Sequence, residues 1–181
     1  MELKNMISDG EKVQVFECDG KCAKIFKDPN VPKSVFLYEA LTHTRVEETG
    51  CRHIPAFEEI TKVDGKWVIV YELVKGRTLR EIMDEDQKHA DDYLEQMVNL
   101  QIEIHGLRSA KISKLKDYLK RSIESLDMID DVKKYELLTR LESMPKHTKL
   151  CHGDFAPENI IVIEKGMFIV DWFKAKQGNA S

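Results

Sequence analysis

Cys151-His152-Gly153-Asp154-Phe155-Ala156-Pro157-Glu158-Asn159, followed by Ile169-Val170-Asp171-Trp172, is the stretch that decides how this chain is read. Three groups that phosphoryl transfer needs occur here in order. Asp154 can orient or deprotonate an acceptor hydroxyl. Asn159, five residues on, can bind a metal through its amide oxygen. Asp171 closes an apolar run and can hold Mg²⁺ against nucleotide phosphates. The plainer reading of Asp154–Asn159 is an Asx-rich turn between two strands. The joint spacing of all three groups weighs against it, because one metal-phosphate site constrains each interval.

An acid, an Asn five positions later and an Asp after a hairpin follow the order of kinase catalytic loops. On His152-Gly153-Asp154, Pro157, Asn159 and Val170-Asp171-Trp172, the chain resembles the aminoglycoside phosphotransferase and choline kinase branch of the kinase-like fold. Gly153 stands where protein kinases carry the Arg of His-Arg-Asp, and Asp-Trp replaces Asp-Phe-Gly. The resemblance implies an α+β, protein-kinase-like two-lobe fold. Residues 1–75 would form a small antiparallel β-rich N-lobe with one helix. Residues 76–181 would form a mainly helical C-lobe carrying the catalytic loop. Family members continue well beyond the Asp-Trp segment, whereas only Phe173–Ser181 follow here. The expectation is therefore a fragment with an incomplete C-lobe and acceptor pocket. Uncovered apolar surface would then be a self-association hazard.

Composition agrees with a globular chain. Of 181 residues, 42% are hydrophobic and 33% charged, which excludes a disordered polar chain. A net charge of -4 argues against a general nucleic-acid binder, which would be basic. Cys18, Cys22, Cys51 and Cys151 match no zinc spacing, and reduced structural thiols are the simpler reading. The N-terminus lacks a basic region followed by an apolar core, and no run approaches the roughly 18 apolar residues of a membrane span. No membrane partner is expected, and a cytoplasmic location fits a need for ATP.

Working toward the N-terminus, Asp19-Gly20 separates Val13–Glu17 from Lys21–Phe26, and Asp64-Gly65 separates Phe57–Val63 from Lys66–Leu73. Asp-Gly between apolar runs is a strong hairpin signal, since both turn residues need positive φ. Between the hairpins, Lys33–Glu48 reads as a helix preceded by Pro32. Thr78-Leu79-Arg80-Glu81 is a capping box opening a short helix. Three stripes at helical spacing follow: Leu94, Met97, Val98, Ile104 and Leu107; Ile112, Leu115, Leu119, Ile123 and Leu126; Val132, Tyr135, Leu138 and Leu141. They read as core-facing surfaces. The clusters Asp84–Asp86, Asp91–Asp92 and Lys111–Arg121 read as solvated faces. The lobe boundary is expected near Lys75-Gly76.

Several residues extend the site. Strand alternation puts Lys24 and Cys22 on one face. Taken alone, Lys24 is a solvated edge-strand lysine. The resemblance turns that face into the cleft, with Lys24 on the α- and β-phosphates and Cys22 near adenine. Lys27 is the fallback, on the opposite face. The resemblance assigns Glu39 to the ion pair that holds the phosphate lysine, while Glu47 and Glu48 read as surface charges. Ser8-Asp9-Gly10-Glu11-Lys12, ahead of the first strand, can fold over phosphates as a short nest of N–H groups. Val68–Gly76 looks like the strand and hinge joining the lobes. The Glu72 carbonyl and Val74 N–H would face adenine, with Tyr71 at the back of the pocket. His152 is either a general base or a packed brace, and the brace is favoured.

The function implied is an ATP- and Mg²⁺-dependent phosphotransferase acting on a small-molecule hydroxyl of an aminoglycoside, choline or a related amino alcohol or sugar. Asp154 would be catalytic, and Asn159 and Asp171 would hold the metal. A protein substrate is disfavoured, because His152-Gly153-Asp154 replaces the His-Arg-Asp of protein kinases. The alternative is a non-catalytic nucleotide-binding or interaction module.

Overall fold

Two Asp-Gly turns set the register of the first sheet. One joins β2 (Val13–Cys18) to β3 (Lys21–Phe26), the other β4 (Phe57–Val63) to β5 (Lys66–Glu72). In the computed structural model, which describes residues 3–179, Asp19 and Gly20 have φ of 49° and 80°, and Asp64 and Gly65 have 49° and 79°. Positive φ at both turn residues matches the twist of the flanking strands. A further strand, β1 (Met6–Asp9), pairs antiparallel with β2 and completes a five-stranded sheet in the order β1-β2-β3-β5-β4. The placement of Ser8–Lys12 ahead of the first strand is corrected here. Ser8 and Asp9 already belong to β1, and the Gly10 N–H donates to the Val13 carbonyl at 2.9 Å, closing a hairpin turn. That donor is spent within the turn.

Helix α1 (Lys33–Glu47) begins after Pro32 and buries Phe36, Glu39, Ala40, His43 and Val46 at helical spacing. Phe36 stacks on Trp67 at 4.3 Å, and with Phe26, Ile69 and Tyr71 it fills the layer between helix and sheet. The other sheet face packs Cys18, Ala23, Ile25, Val68 and Val70. Glu47 is not the plain surface charge expected. It is half-buried and accepts the Phe57 N–H at 2.7 Å, capping the entry to β4, and burial pushes its carboxyl above the usual range. Glu48 is a surface charge, paired with exposed Lys111 at 2.8 Å.

After β5 the chain crosses to the lower half through Leu73–Gly76. A Cβ on Gly76 would fall on the Val162 carbonyl oxygen, so only glycine allows this close crossing. Below it, β6 (Arg77–Thr78), β8 (Ile160–Ile163) and β9 (Gly166–Ile169) form a three-stranded sheet. Helix α2 (Leu79–Glu85) opens with the expected box. Thr78 Oγ1 accepts the Glu81 N–H at 3.2 Å, and Glu81 Oε2 accepts the Thr78 N–H at 2.9 Å. Helices α3 (Ala90–Gly106), α4 (Leu115–Glu124) and α5 (Asp131–Ser143) follow. Then β7 (Lys149–Cys151) pairs with β10 (Lys176–Gly178). Leu79, Leu100, Ile104, Leu150, Ile160, Ile169 and Trp172 make the lower core.

The helical stripes are only partly core-facing. On α3, Leu100 and Ile104 are buried, whereas Leu94 and Val98 are exposed. No residue of α4 is buried, and α5 buries Leu141 while Val132 and Tyr135 are exposed. Helices α4 and α5 pack on each other and touch the rest of the protein mainly through β10. Periodicity marks an apolar face but not whether another element covers it. Among the described residues, no helix is long and apolar enough to cross a membrane.

Candidate active site

Alternation along β3 sends Ala23 and Ile25 into one core layer and turns Cys22, Lys24 and Phe26 toward α1. Lys24 lies between Val15 of β2 and Ile69 of β5, so it is far from the sheet edge. Its Nζ is 2.7 Å from Glu39 Oε1 and 3.0 Å from Asp171 Oδ1. Burial opposes this charge, but Glu39 and Asp171 outweigh it and hold the lysine pKa above its ordinary value. The Tyr71 hydroxyl donates to Glu39 Oε1 at 3.3 Å. Burial first, then Glu39, push that phenol well above the usual tyrosine range. Lys27 instead pairs with Asp9 at 2.6 Å.

The lower wall comes from the loop after β7. His152 is buried, and both of its ring nitrogens are committed. Nδ1 accepts the Asp154 N–H at 3.2 Å, which leaves Nε2 to donate to the Val170 carbonyl at 3.0 Å. Burial lowers the imidazole pKa and keeps it neutral, and its ring meets Trp172 edge-on at 4.5 Å. With no free nitrogen, His152 is a brace and not a base. Gly153 has φ of 84°, and a Cβ there would lie 2.5 Å from the Lys174 carbonyl oxygen. Glycine therefore lets the loop touch the turn that follows Asp171.

Asn159 spends its amide nitrogen on the Asp154 carbonyl at 2.9 Å, which leaves its amide oxygen available to a cation. The Val170 N–H donates to the Asn159 carbonyl at 2.9 Å and draws the two metal-ligand candidates together. Asp171 adopts left-handed backbone angles, φ 62° and ψ 55°, a conformation that aspartate tolerates better than most residues. The Asp154 carboxylate receives a hydrogen bond from Lys174 Nζ at 3.0 Å.

A cleft of about 490 Å³ separates the five-stranded sheet from the lower half. Of the residues singled out in the sequence, Ser8, Cys22, Lys24, Glu39, Tyr71, Glu72, Val74, Asn159 and Asp171 line it. Gly10 and Asp154 are not among the lining residues; Asp154 stands on the same loop as Asn159, half-exposed. Burial pushes the Cys22 thiol up to about 11, so it is a protonated packing group.

The profile of the phosphotransferase enzyme family matches residues 45–181. The chain belongs to this family. No curated protein matches the sequence. The matched span takes in the crossing, the catalytic loop and the Asp-Trp turn, but it begins after Lys24 and Glu39. Those two line the same cleft as Asn159 and Asp171 through the geometry above.

Sequence reasoning missed Ile161 of β8, which lines the cleft together with Val15 of β2. Counting by two from Asn159 along the following apolar strand would have put Ile161 on that face. It also missed Lys174. Nothing in the spacing announces that a turn after Asp171 returns this lysine to Asp154.

Proposed function

We propose that this phosphotransferase is an ATP-dependent kinase that phosphorylates a hydroxyl of a small molecule with Mg²⁺ as its metal. The observation that carries the reading is the convergence of the Lys24–Glu39 pair, Asn159 and Asp171 on one cleft, with Asp154 beside them. Val15 above and Ile161 below offer apolar surfaces to a flat base, and Leu73–Val74 pass it outside regular strand pairing. Lys24 would then bind the phosphates, and Asp154 would align the acceptor hydroxyl and take its proton.

The donor set suits Mg²⁺. Among the described residues no cluster of three or more His, Cys, Asp or Glu side chains forms a cage. Asn159 and Asp171 supply two oxygen donors, and Mg²⁺ is usually held by one or two carboxylates with phosphates and water completing its shell. When bound it would neutralise charge on the nucleotide phosphates.

The acceptor class we favour is an amino alcohol, aminoglycoside, choline-like compound or sugar. The test is calorimetry of ATP binding with and without Mg²⁺, followed by a screen of hydroxylated amines and sugars for ADP release. Metal-dependent ATP binding with acceptor-stimulated ADP release is expected. Absence of ATP binding at millimolar nucleotide would overturn the reading. Binding with no turnover on any acceptor or on water would favour a non-catalytic nucleotide-binding module.

A further inference from the structure

Charge around the cleft is unevenly distributed. Among the described residues, Glu39, Glu72, Glu81, Glu158 and Asp171 line it, against one lining ammonium, Lys24. Lys24 is itself shared between Glu39 and Asp171. Arg80 answers Glu158 at 2.8 Å from outside the lining. The loop His152–Asn159 contains no Lys or Arg. A Mg²⁺-bound nucleotide triphosphate would therefore find, among the lining side chains, only the shared Lys24 to supplement the metal's charge at its terminal phosphate, where negative charge must be stabilised.

Lys174 is the cation best placed to make up the deficit. Its Nζ is 3.0 Å from Asp154 Oδ2, and the field of Asp171 also acts on it. Its backbone is fixed. The bare Cα of Gly153 faces the Lys174 carbonyl, and Lys176 Nζ donates to that same oxygen at 3.3 Å. Its side chain is not fixed in the same way, being 57% exposed. An exposed ion pair of this kind is weak and readily exchanged.

Building on the kinase reading above, we propose that Lys174 is a catalytic residue that moves from Asp154 to the terminal phosphate when nucleotide binds. In the transfer step the acceptor oxygen bonds to the γ-phosphorus. The bond from that phosphorus to the bridging oxygen breaks, and its electron pair leaves on ADP. The hydroxyl proton passes to Asp154. Lys174 contacts the non-bridging oxygens throughout, and its departure frees the Asp154 carboxylate to receive the acceptor. Without nucleotide the same lysine masks the carboxylate.

The test compares Mg²⁺ complexes of ADP and of the β,γ-imido analogue of ATP, titrated by calorimetry into wild type, Lys174→Ala, Lys174→Gln and Lys174→Arg. Loss of one charge-assisted hydrogen bond predicts that Kd for the triphosphate rises about tenfold in Lys174→Ala and Lys174→Gln. ADP affinity should stay within about twofold and Lys174→Arg should retain most of the triphosphate affinity. Since ADP reports on the folded cleft in each variant, a general folding defect would weaken both ligands in parallel. A parallel change, or an unchanged triphosphate affinity, overturns the role of Lys174 and leaves the kinase reading standing. Failure of wild type to bind either nucleotide overturns the kinase reading itself.

Discussion

At Asp171 and Asp154 two carboxylates are each held by a lysine, and the consequences of removing them differ. Asp171 contacts Lys24 at 3.0 Å and, in the site proposed above, would offer oxygen to a metal. Asp171→Ala should therefore weaken Mg²⁺-dependent ATP binding by about tenfold or more, read by calorimetry. Asp154 touches the acceptor and not the nucleotide in the proposed mechanism. Asp154→Asn should lower kcat by about 10²-fold or more and leave ATP affinity little changed. His152→Ala should behave otherwise, because it removes two partly buried hydrogen bonds and the packing on Trp172. A stability loss of roughly 2–4 kcal/mol in denaturant melts is expected alongside its loss of rate. Normal turnover in Asp154→Asn, with a stable but inactive His152→Ala, would reverse these assignments. The candidate loop was legible in the sequence because its groups lie close together on one segment. Lys174 was not, because its role depends on a turn that brings a side chain back twenty residues in sequence.

At the scale of elements, the hairpin turns were readable to the residue, their strands to within one residue, and the helical faces were not. An Asp-Gly pair has few ways to fold, so Asp19-Gly20 and Asp64-Gly65 each fixed two strands. Strand β1 escaped notice because Met6-Ile7-Ser8-Asp9 is short and exposed, and it gains its place only by pairing with β2. The α4 and α5 stripes were real as patterns, but tertiary neighbours decide burial. Two elements invite a direct test. Thr78→Ala removes the side-chain half of the α2 capping box and should cost about 1 kcal/mol in thermal or denaturant unfolding. Gly153→Ala must adopt φ of 84° and force its Cβ against the Lys174 carbonyl. A loss of about 1–3 kcal/mol is expected, with slower turnover than the stability loss alone explains, because loop and turn are pushed apart. Full activity in Gly153→Ala would contradict this close approach.

Across the whole molecule, two buried neutral histidines link stability to pH. His43 sits against Tyr71 at 4.6 Å and hydrogen-bonds the Pro55 carbonyl at 2.7 Å; burial lowers its pKa from 6.5 to about 4. His152 is lowered in the same direction by burial. The unfolded chain therefore takes up protons first as pH falls. Their contribution is complete above about pH 6.5 and is lost progressively toward the folded pKa, by on the order of 3 kcal/mol for His43. The melting temperature should drop between pH 7 and pH 5, and His43→Gln should flatten that slope. An unchanged slope in His43→Gln would show that other groups set it.

The N-terminal half of helix α1 is fastened on two sides. Above, Phe36 stacks on Trp67 and Glu39 holds Lys24. Below, the Tyr38 hydroxyl meets Ser113 Oγ at 2.9 Å, and its ring meets Phe173 edge-on at 5.7 Å. Swinging this helix outward to part Lys24 from Glu39 would mean dismantling an aromatic layer and a polar anchor together. An on–off lever of that kind is costly in such a fold. On the kinase reading proposed above, control would fall to the supply of nucleotide and acceptor to the cleft and not to a swing of this helix.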